Sequence, residues 1–220
     1  MGGLSVNNSE GKPNYSQRLN PDDPSTPWNE TMETCNVTAG ITAAVTAGWP
    51  VEKFNKGLHP RPPMDLLFFM RQNVACQQIY ASLDPKKKYP MNEYMEILAV
   101  GLREYFGCKG IRCVYAEEKV CIHNHLIAGD GLVIHGDFVF TRADGSEVMS
   151  GHFESLAGFS TGGSGVVLTW LVDDPFGDPT TKYKSQFGDN IVLTIPQVNS
   201  MIKPFGVGGK DVIIVPKYSA

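Results

Sequence analysis

Four residues combine a reactive type with a suggestive place in the chain: Gln17, Cys35, His152 and Asp174. Cys35 opens a run rich in small residues, Cys35 to Ala47, that reads as a helix stopped by Gly48-Trp49-Pro50. A thiol at a helix N-terminus lies at the positive end of the helix dipole, which favours the nucleophilic thiolate. Most free cysteines are packing residues, so position alone does not make Cys35 a nucleophile. His152 opens a strand-like run, His152 to Phe159, and the next such run ends at Val172-Asp173-Asp174-Pro175. In an antiparallel hairpin the start of the first strand lies beside the end of the second, which brings His152 to the acids. A carboxylate there would fix the imidazole tautomer and support its positive charge. Adjacent strand residues point to opposite faces, so only one of Asp173 and Asp174 can face His152. Taken singly, His152 reads as an ordinary strand histidine and Asp174 as a turn residue, since Asp-Pro opens turns.

Other chemistry-bearing groups are weaker signals. Cys121, His123 and His125 alternate along a strand-like run and could share one face, with Cys108 and Cys113 upstream. Zinc uses such ligands, but no Cys-x-x-Cys occurs and the spacing fits no common finger, so no metal is expected. Gly206-Val207-Gly208-Gly209-Lys210 lacks the spacing and the following Ser or Thr of a phosphate loop. Lys86, Lys87 and Lys88 read as a solvated loop.

The elements that must position these residues divide into two blocks. Helical patterns dominate first: Cys35 to Ala47, Asp65 to Ser82, and Asn92 to Phe106 stopped by Gly107. Strand-like runs follow at Ile111 to Tyr115, Lys119 to His125, Leu132 to Thr141, His152 to Phe159, Val166 to Val172, Ile191 to Ile195 and Asp211 to Val215. Helices followed by strands imply an α+β fold with an antiparallel sheet. Tyr15 to Leu19 reads as a short extended piece. Residues 1–13 read as a flexible tail, and 14–220 as a single domain.

The chain has 220 residues, with 42% hydrophobic and 19% charged, an ordinary globular mix. It is long enough to bury a core without disulfides, and five irregularly spaced cysteines suit a reducing compartment. A net charge of −4 gives no global attraction to nucleic acid or an anionic membrane. No run of apolar residues is long enough to span a bilayer. The first residues lack the basic and apolar regions of a Sec signal, so synthesis in the cytoplasm is expected, with any release to the cell wall by a non-Sec route.

Four segments together resemble the C39-like branch of the papain-like cysteine peptidases. They are Tyr15-Ser16-Gln17-Arg18-Leu19-Asn20, Cys35-Asn36-Val37-Thr38-Ala39-Gly40, Gly151-His152-Phe153 with Leu156-Ala157-Gly158-Phe159, and Trp170 to Asp178 with its Asp-Pro-x-Gly element. Their order matches, over about residues 15 to 205. The resemblance implies a papain-like fold and peptide-bond hydrolysis through an acyl-enzyme, with no cofactor. It makes Cys35 the nucleophile, His152 the base, Asp174 the residue that orients His152, and Gln17 an oxyanion donor. It favours Asp174 over Asp173, because Asp174 directly precedes the proline. Many members of the branch carry Gly after the Cys, where this chain has Asn36-Val37. Residues 50–110 match no motif, and no ATP-binding cassette accompanies the domain, which turns the expectation away from leader cleavage. Members of the wider group that share this small core cut peptides of the bacterial cell wall. The expected substrate is therefore a peptidoglycan stem peptide, as for a phage-type lysin. A processing or effector protease and an inert binding scaffold are the alternatives.

Overall fold

The structure, a computed structural model, describes residues 3–21, 33–83, 91, 94–114, 119–141, 144–197 and 212–220. Its seven described strands are β1 (Ser5–Asn7), β2 (Arg112–Val114), β3 (Gly131–Thr141), β4 (Glu147–Thr161), β5 (Val167–Asp173), β6 (Ile191–Thr194) and β7 (Val212–Val215). They form one sheet in the order β2-β7-β3-β4-β5-β6, with β1 paired to β4 off this path, and every pairing is antiparallel. The helices are α1 (Cys35–Thr46), α2 (Pro62–Gln72), α3 (Val74–Ser82), α4 (Met95–Phe106) and α5 (Lys119–Ala128). The expected class, helices with an antiparallel sheet, is the one observed.

Helix α1 is the centre of the fold, with all twelve residues buried. That explains how a sequence with three threonines, two valines and a glycine stays helical: packing outweighs poor propensity. It lies against β3 and β4 on one side and against α2 and α4 on the other. Gly131 makes the close approach to β3 possible, because a Cβ there would fall 1.8 Å from the carbonyl oxygen of Ala43. At the C-terminal end of α1, Trp49 donates to the Pro216 carbonyl at 2.8 Å and its ring meets Phe54, Phe106 and Tyr218. The helix-side core takes Val133, Phe153, Ile213 and Val215 from the sheet. The alternate residues Leu132, Ile134, Val212 and Ile214 enter a second cluster with Leu126 of α5, Phe176 and Tyr183.

Three expectations need correction. Residues 1–13 are not simply a flexible tail, because Ser5–Asn7 pairs with Gly158–Ser160 and extends the edge that β3 leaves at Leu156. Gly158 permits this approach, since a Cβ there would lie 2.0 Å from the Val6 carbonyl oxygen. A three-residue strand is too short to show an alternating pattern. The single helix expected over Asp65 to Ser82 is two helices broken at Asn73, whose side chain caps α3 by accepting from the Cys76 N–H at 3.1 Å. The run Lys119 to His125 is helix, not strand. Its apolar positions suit either period, and buried Leu126 and the left-handed Gly129 decide for a helix that continues to Ala128. Lys86 to Lys88 and Gly206 to Lys210 lie outside the described residues. Among the described residues, no helix is long and apolar enough to cross a membrane.

Candidate functional site

Cys35 is the first residue of α1, after Thr34 at the cap position, and only 8% of it is exposed. Asn20 ties the preceding segment to this helix end, donating from Nδ2 to Thr34 Oγ1 at 2.8 Å and to Thr38 Oγ1 at 3.1 Å. Gln17–Leu19 forms one turn of 3-10 helix rather than the expected extended piece. The turn is pinned from the other side: Gln17 N–H donates to the Pro175 carbonyl at 2.9 Å. Arg18 Nε donates to the Phe176 carbonyl at 2.7 Å, and its guanidinium lies 3.8 Å from the centroid of the Phe176 ring. The buried Gln17 is thus held between the N-terminus of α1 and the turn that follows Asp174.

His152 lies inside the fifteen-residue strand β4 rather than at its start. The β4–β5 ladder begins at Ser155↔Asp173, so the meeting with Asp174 is made just beyond the paired residues. His152 Nε2 bonds Asp174 Oδ1 at 2.8 Å, with the two side chains 3% and 0% exposed. That leaves Nδ1 for Cys35, whose thiol interacts with the imidazole. Rings of Phe138, Phe176 and Tyr183 present edges to the imidazole and exclude water.

Asp174 is an acceptor hub. Oδ1 also takes the N–H of Phe176 at 2.7 Å and of Gly177 at 3.3 Å, and Oδ2 takes the Tyr183 hydroxyl at 2.9 Å. Tyr183 reaches it from a left-handed backbone, φ 64°, a costly conformation for an aromatic residue. Burial alone would raise the Asp174 pKa, but the charge and hydrogen bond of His152 and the surrounding donors outweigh it and hold the carboxyl below its usual range. Burial likewise pulls His152 down. The Asp174 carboxylate, by charge and by hydrogen bond, and then the Cys35 thiol override it and hold the imidazole well above its ordinary value. Each group thus supports the charged form of the other, so a proton that reaches the imidazole is held there in a nearly dry pocket.

Asp173 points elsewhere. Its Oδ1 accepts from the Asn190 N–H at 2.8 Å and lies 3.4 Å from the Ser9 hydroxyl. The geometry therefore brings together Cys35, His152 and Asp174, with the Gln17 turn packed against the same segment, and leaves Asp173 out.

One neighbour escaped the sequence reading. Glu154 is fully buried, and its carboxyl lies within 4.8 Å of the ligating atoms of His152 and Asp174. A signal was present: His-x-Glu in a strand puts both side chains on one face. These three groups are close enough to share a metal ion, but all are buried and the His152–Asp174 bond already occupies Nε2. The Cys121, His123 and His125 set, expected to share one face of a strand, falls on a helix, where His123 no longer shares a face with positions two residues away. His123 stacks on Trp170 with centroids 5.0 Å apart, while His125 Nδ1 bonds Asp130 Oδ2 at 2.6 Å. The side chain of Cys121 lies outside the described residues. Neither Cys108 nor Cys113 is in a disulfide with a described residue.

No protein-family model matches the chain, and no curated protein matches it. Among solved structures, it is similar to a crystal structure from Bacillus anthracis provisionally described as a C39-like peptidase. The two share 14% identity and a TM-score of 0.49, over 98% of this chain and 100% of the other.

Proposed function

We propose that this chain is a cysteine peptidase of the C39-like, papain-like kind. The observation that carries the reading is the relay at the N-terminus of α1. The imidazole of His152 bonds Asp174 through Nε2 at 2.8 Å and meets the Cys35 thiol with its other edge. In this reading the Cys35 proton passes to His152, and the thiolate adds to a substrate carbonyl carbon. Negative charge then develops on the carbonyl oxygen, where the backbone N–H of Cys35 and the side-chain amide of Gln17 are the donors; one such donor is worth about 100-fold to 1000-fold in rate. The C–N bond breaks as His152 returns the proton to the departing amine, leaving a thioester on Cys35. Water, deprotonated by His152, attacks the thioester, releases the acid and regenerates the thiol. Asp174 keeps the imidazole in one tautomer and stabilises its charged form throughout. The relay draws only on protein groups.

For substrate class, the proposal follows the sequence resemblance to peptides of the bacterial cell wall. The test is mass spectrometry of purified peptidoglycan, and of an unbiased peptide library, after incubation with the wild-type chain and with Cys35→Ala. Wild type should create new peptide termini, and the variant should lose about 10⁴-fold or more of that activity. Cleavage of the library but not of walls would keep the peptidase and move the substrate to proteins. Equal cleavage by both chains, or none by either, would overturn the reading.

A further inference from the structure

Glu154 is the one group of the buried cluster that the relay does not use. Its position follows from register. Ser155 stands opposite Asp173, so the next pair outward sets Glu154 across from Asp174 on the same side of the ladder. His152, two residues earlier, shares that side. Glu154 has no exposed surface, and no donor among the described residues reaches either of its oxygens. An ionised carboxylate cannot be kept there cheaply, since a buried charge needs donors or a counter-charge of its own. The positive charge of His152 is already matched by Asp174 at 2.8 Å. Two carboxylates in contact lack a partner only while both are acceptors. With one proton, Glu154 becomes a donor and Asp174 receives it.

We propose that Glu154 is a positioning residue: a carboxylic acid that keeps its proton and donates it in a hydrogen bond to Asp174. The protonation stands on geometry, while the positioning role rests on the peptidase reading. The groups that face Glu154 agree with a neutral acid. Burial and the Asp174 carboxylate raise its pKa well above the usual range, Asp173 adds to this from the other side of the strand, His152 opposes it, and the Tyr183 hydroxyl also faces it. Asp174 then accepts from His152, from Tyr183, from two backbone N–H groups and from Glu154. Its lone pairs are fixed, so the imidazole has a single well-oriented acceptor. Glu154 thus adds a donor to the site without adding a second negative charge beside Cys35.

Two measurements on the full chain test this, and only one depends on a reactive Cys35. The first is urea denaturation against pH for wild type and Glu154→Gln, an amide that imitates the protonated acid. A group that is protonated when folded and ionised when unfolded makes the wild-type unfolding constant rise, relative to the variant, about tenfold per pH unit above roughly pH 4.3. A ratio that stays flat with pH would mean an ionised Glu154 and would overturn the proposal. The second is the rate of Cys35 alkylation by iodoacetamide across pH, followed on the Cys35 peptide by mass. Glu154→Gln should keep the wild-type profile. Glu154→Leu, with similar bulk and no donor, should be slower by about tenfold, the worth of one hydrogen bond, with its profile displaced. If the Leu variant does not fold, Glu154→Asp, one methylene short of Asp174, takes its place with the same expected loss. A wild-type profile in the donor-less or shortened variant would reduce Glu154 to packing and overturn the positioning role. Wild-type Cys35 alkylating no faster than an ordinary thiol would count against the peptidase reading instead, and the denaturation result would stand apart from it.

Discussion

Asp173 and Asp174 are consecutive, equally buried at 1% and 2% exposure, and chemically identical, yet they sit in opposite electrostatic environments. Asp174 meets an imidazole, a tyrosine hydroxyl and two backbone N–H groups, and its carboxyl is held low. Asp173, on the other side, meets one backbone N–H and a distant hydroxyl, faces the carboxyl of Asp189, and is pushed up to about 6 by burial. Burial is common to both, so partners decide. The two buried histidines repeat the lesson. His135, beside Phe153, is pushed down to about 4 by burial and by the charge of His152, while His152 is held up by Asp174. Among these four groups the charged form is favoured only where the fold supplies an opposite charge to it.

That contrast can be broken most directly at Asp174. Asp174→Asn retains the shape and removes the charge that holds the imidazole, so kcat/KM on a cleaved peptide should fall about 10³-fold to 10⁴-fold. Asp173→Asn should leave it nearly unchanged. A loss at position 173 equal to that at 174, or larger, would overturn the roles assigned to the two acids. A smaller effect is expected at Tyr183→Phe. The variant removes one hydrogen bond to a charged carboxylate, worth about 1.5–3 kcal/mol in stability by chemical denaturation. Because the His152–Asp174 bond survives, kcat/KM should drop by about tenfold or less. A collapse to the level of Asp174→Asn would make the tyrosine, rather than the imidazole, the partner that matters most to Asp174.

Much of this site could be read in the sequence because its pieces are short and local. A cysteine before a small-residue run marks a helix start, and acids after a strand mark a strand end, whatever the tertiary fold. What could not be read depends on contacts between distant segments. Choosing between Asp173 and Asp174 needs the register of β5 against β4, and residue types do not encode it. Glu154 has no sequence signal beyond its place two residues after His152, and its burial depends on the pairing of β4 with β3 and on the segment that follows β5. The Ser5–Asn7 strand has too few residues for a period and exists because β4 carries a glycine opposite Asn7. Lys119 to His125 reads as a strand because its apolar spacing fits two periods, and the burial of Leu126 against the sheet together with the left-handed Gly129 settles which one operates. The division into an earlier helical block and a later antiparallel sheet, which rests on long periodic segments, holds apart from Ser5–Asn7 ahead of the helices and Lys119–Ala128 among the strands.

The smallest expected effect on activity carries the sharpest electrostatic signature. Asp173 has its folded pKa raised to about 6 from an ordinary 3.8, so between those values the folded chain holds a proton that the unfolded chain has lost. Wild-type stability therefore falls as pH rises through that window and stays lower above it. The accumulated cost at neutral pH is on the order of 3 kcal/mol. Asp173→Asn removes the titration. Its carbonyl can still accept the Asn190 N–H, and its new amide N–H₂ faces Asp189, an acceptor, where the wild type sets one carboxyl against another. The variant should gain on wild type steadily from pH 4 to pH 6 and hold that gain at pH 7, as read from denaturation midpoints at each pH, while kcat/KM stays within about threefold. A variant less stable than wild type at pH 7 would mean that the charge of Asp173 is itself compensated in the fold. The difference between the two acids would then lie in where each charge is used rather than in whether it is supported.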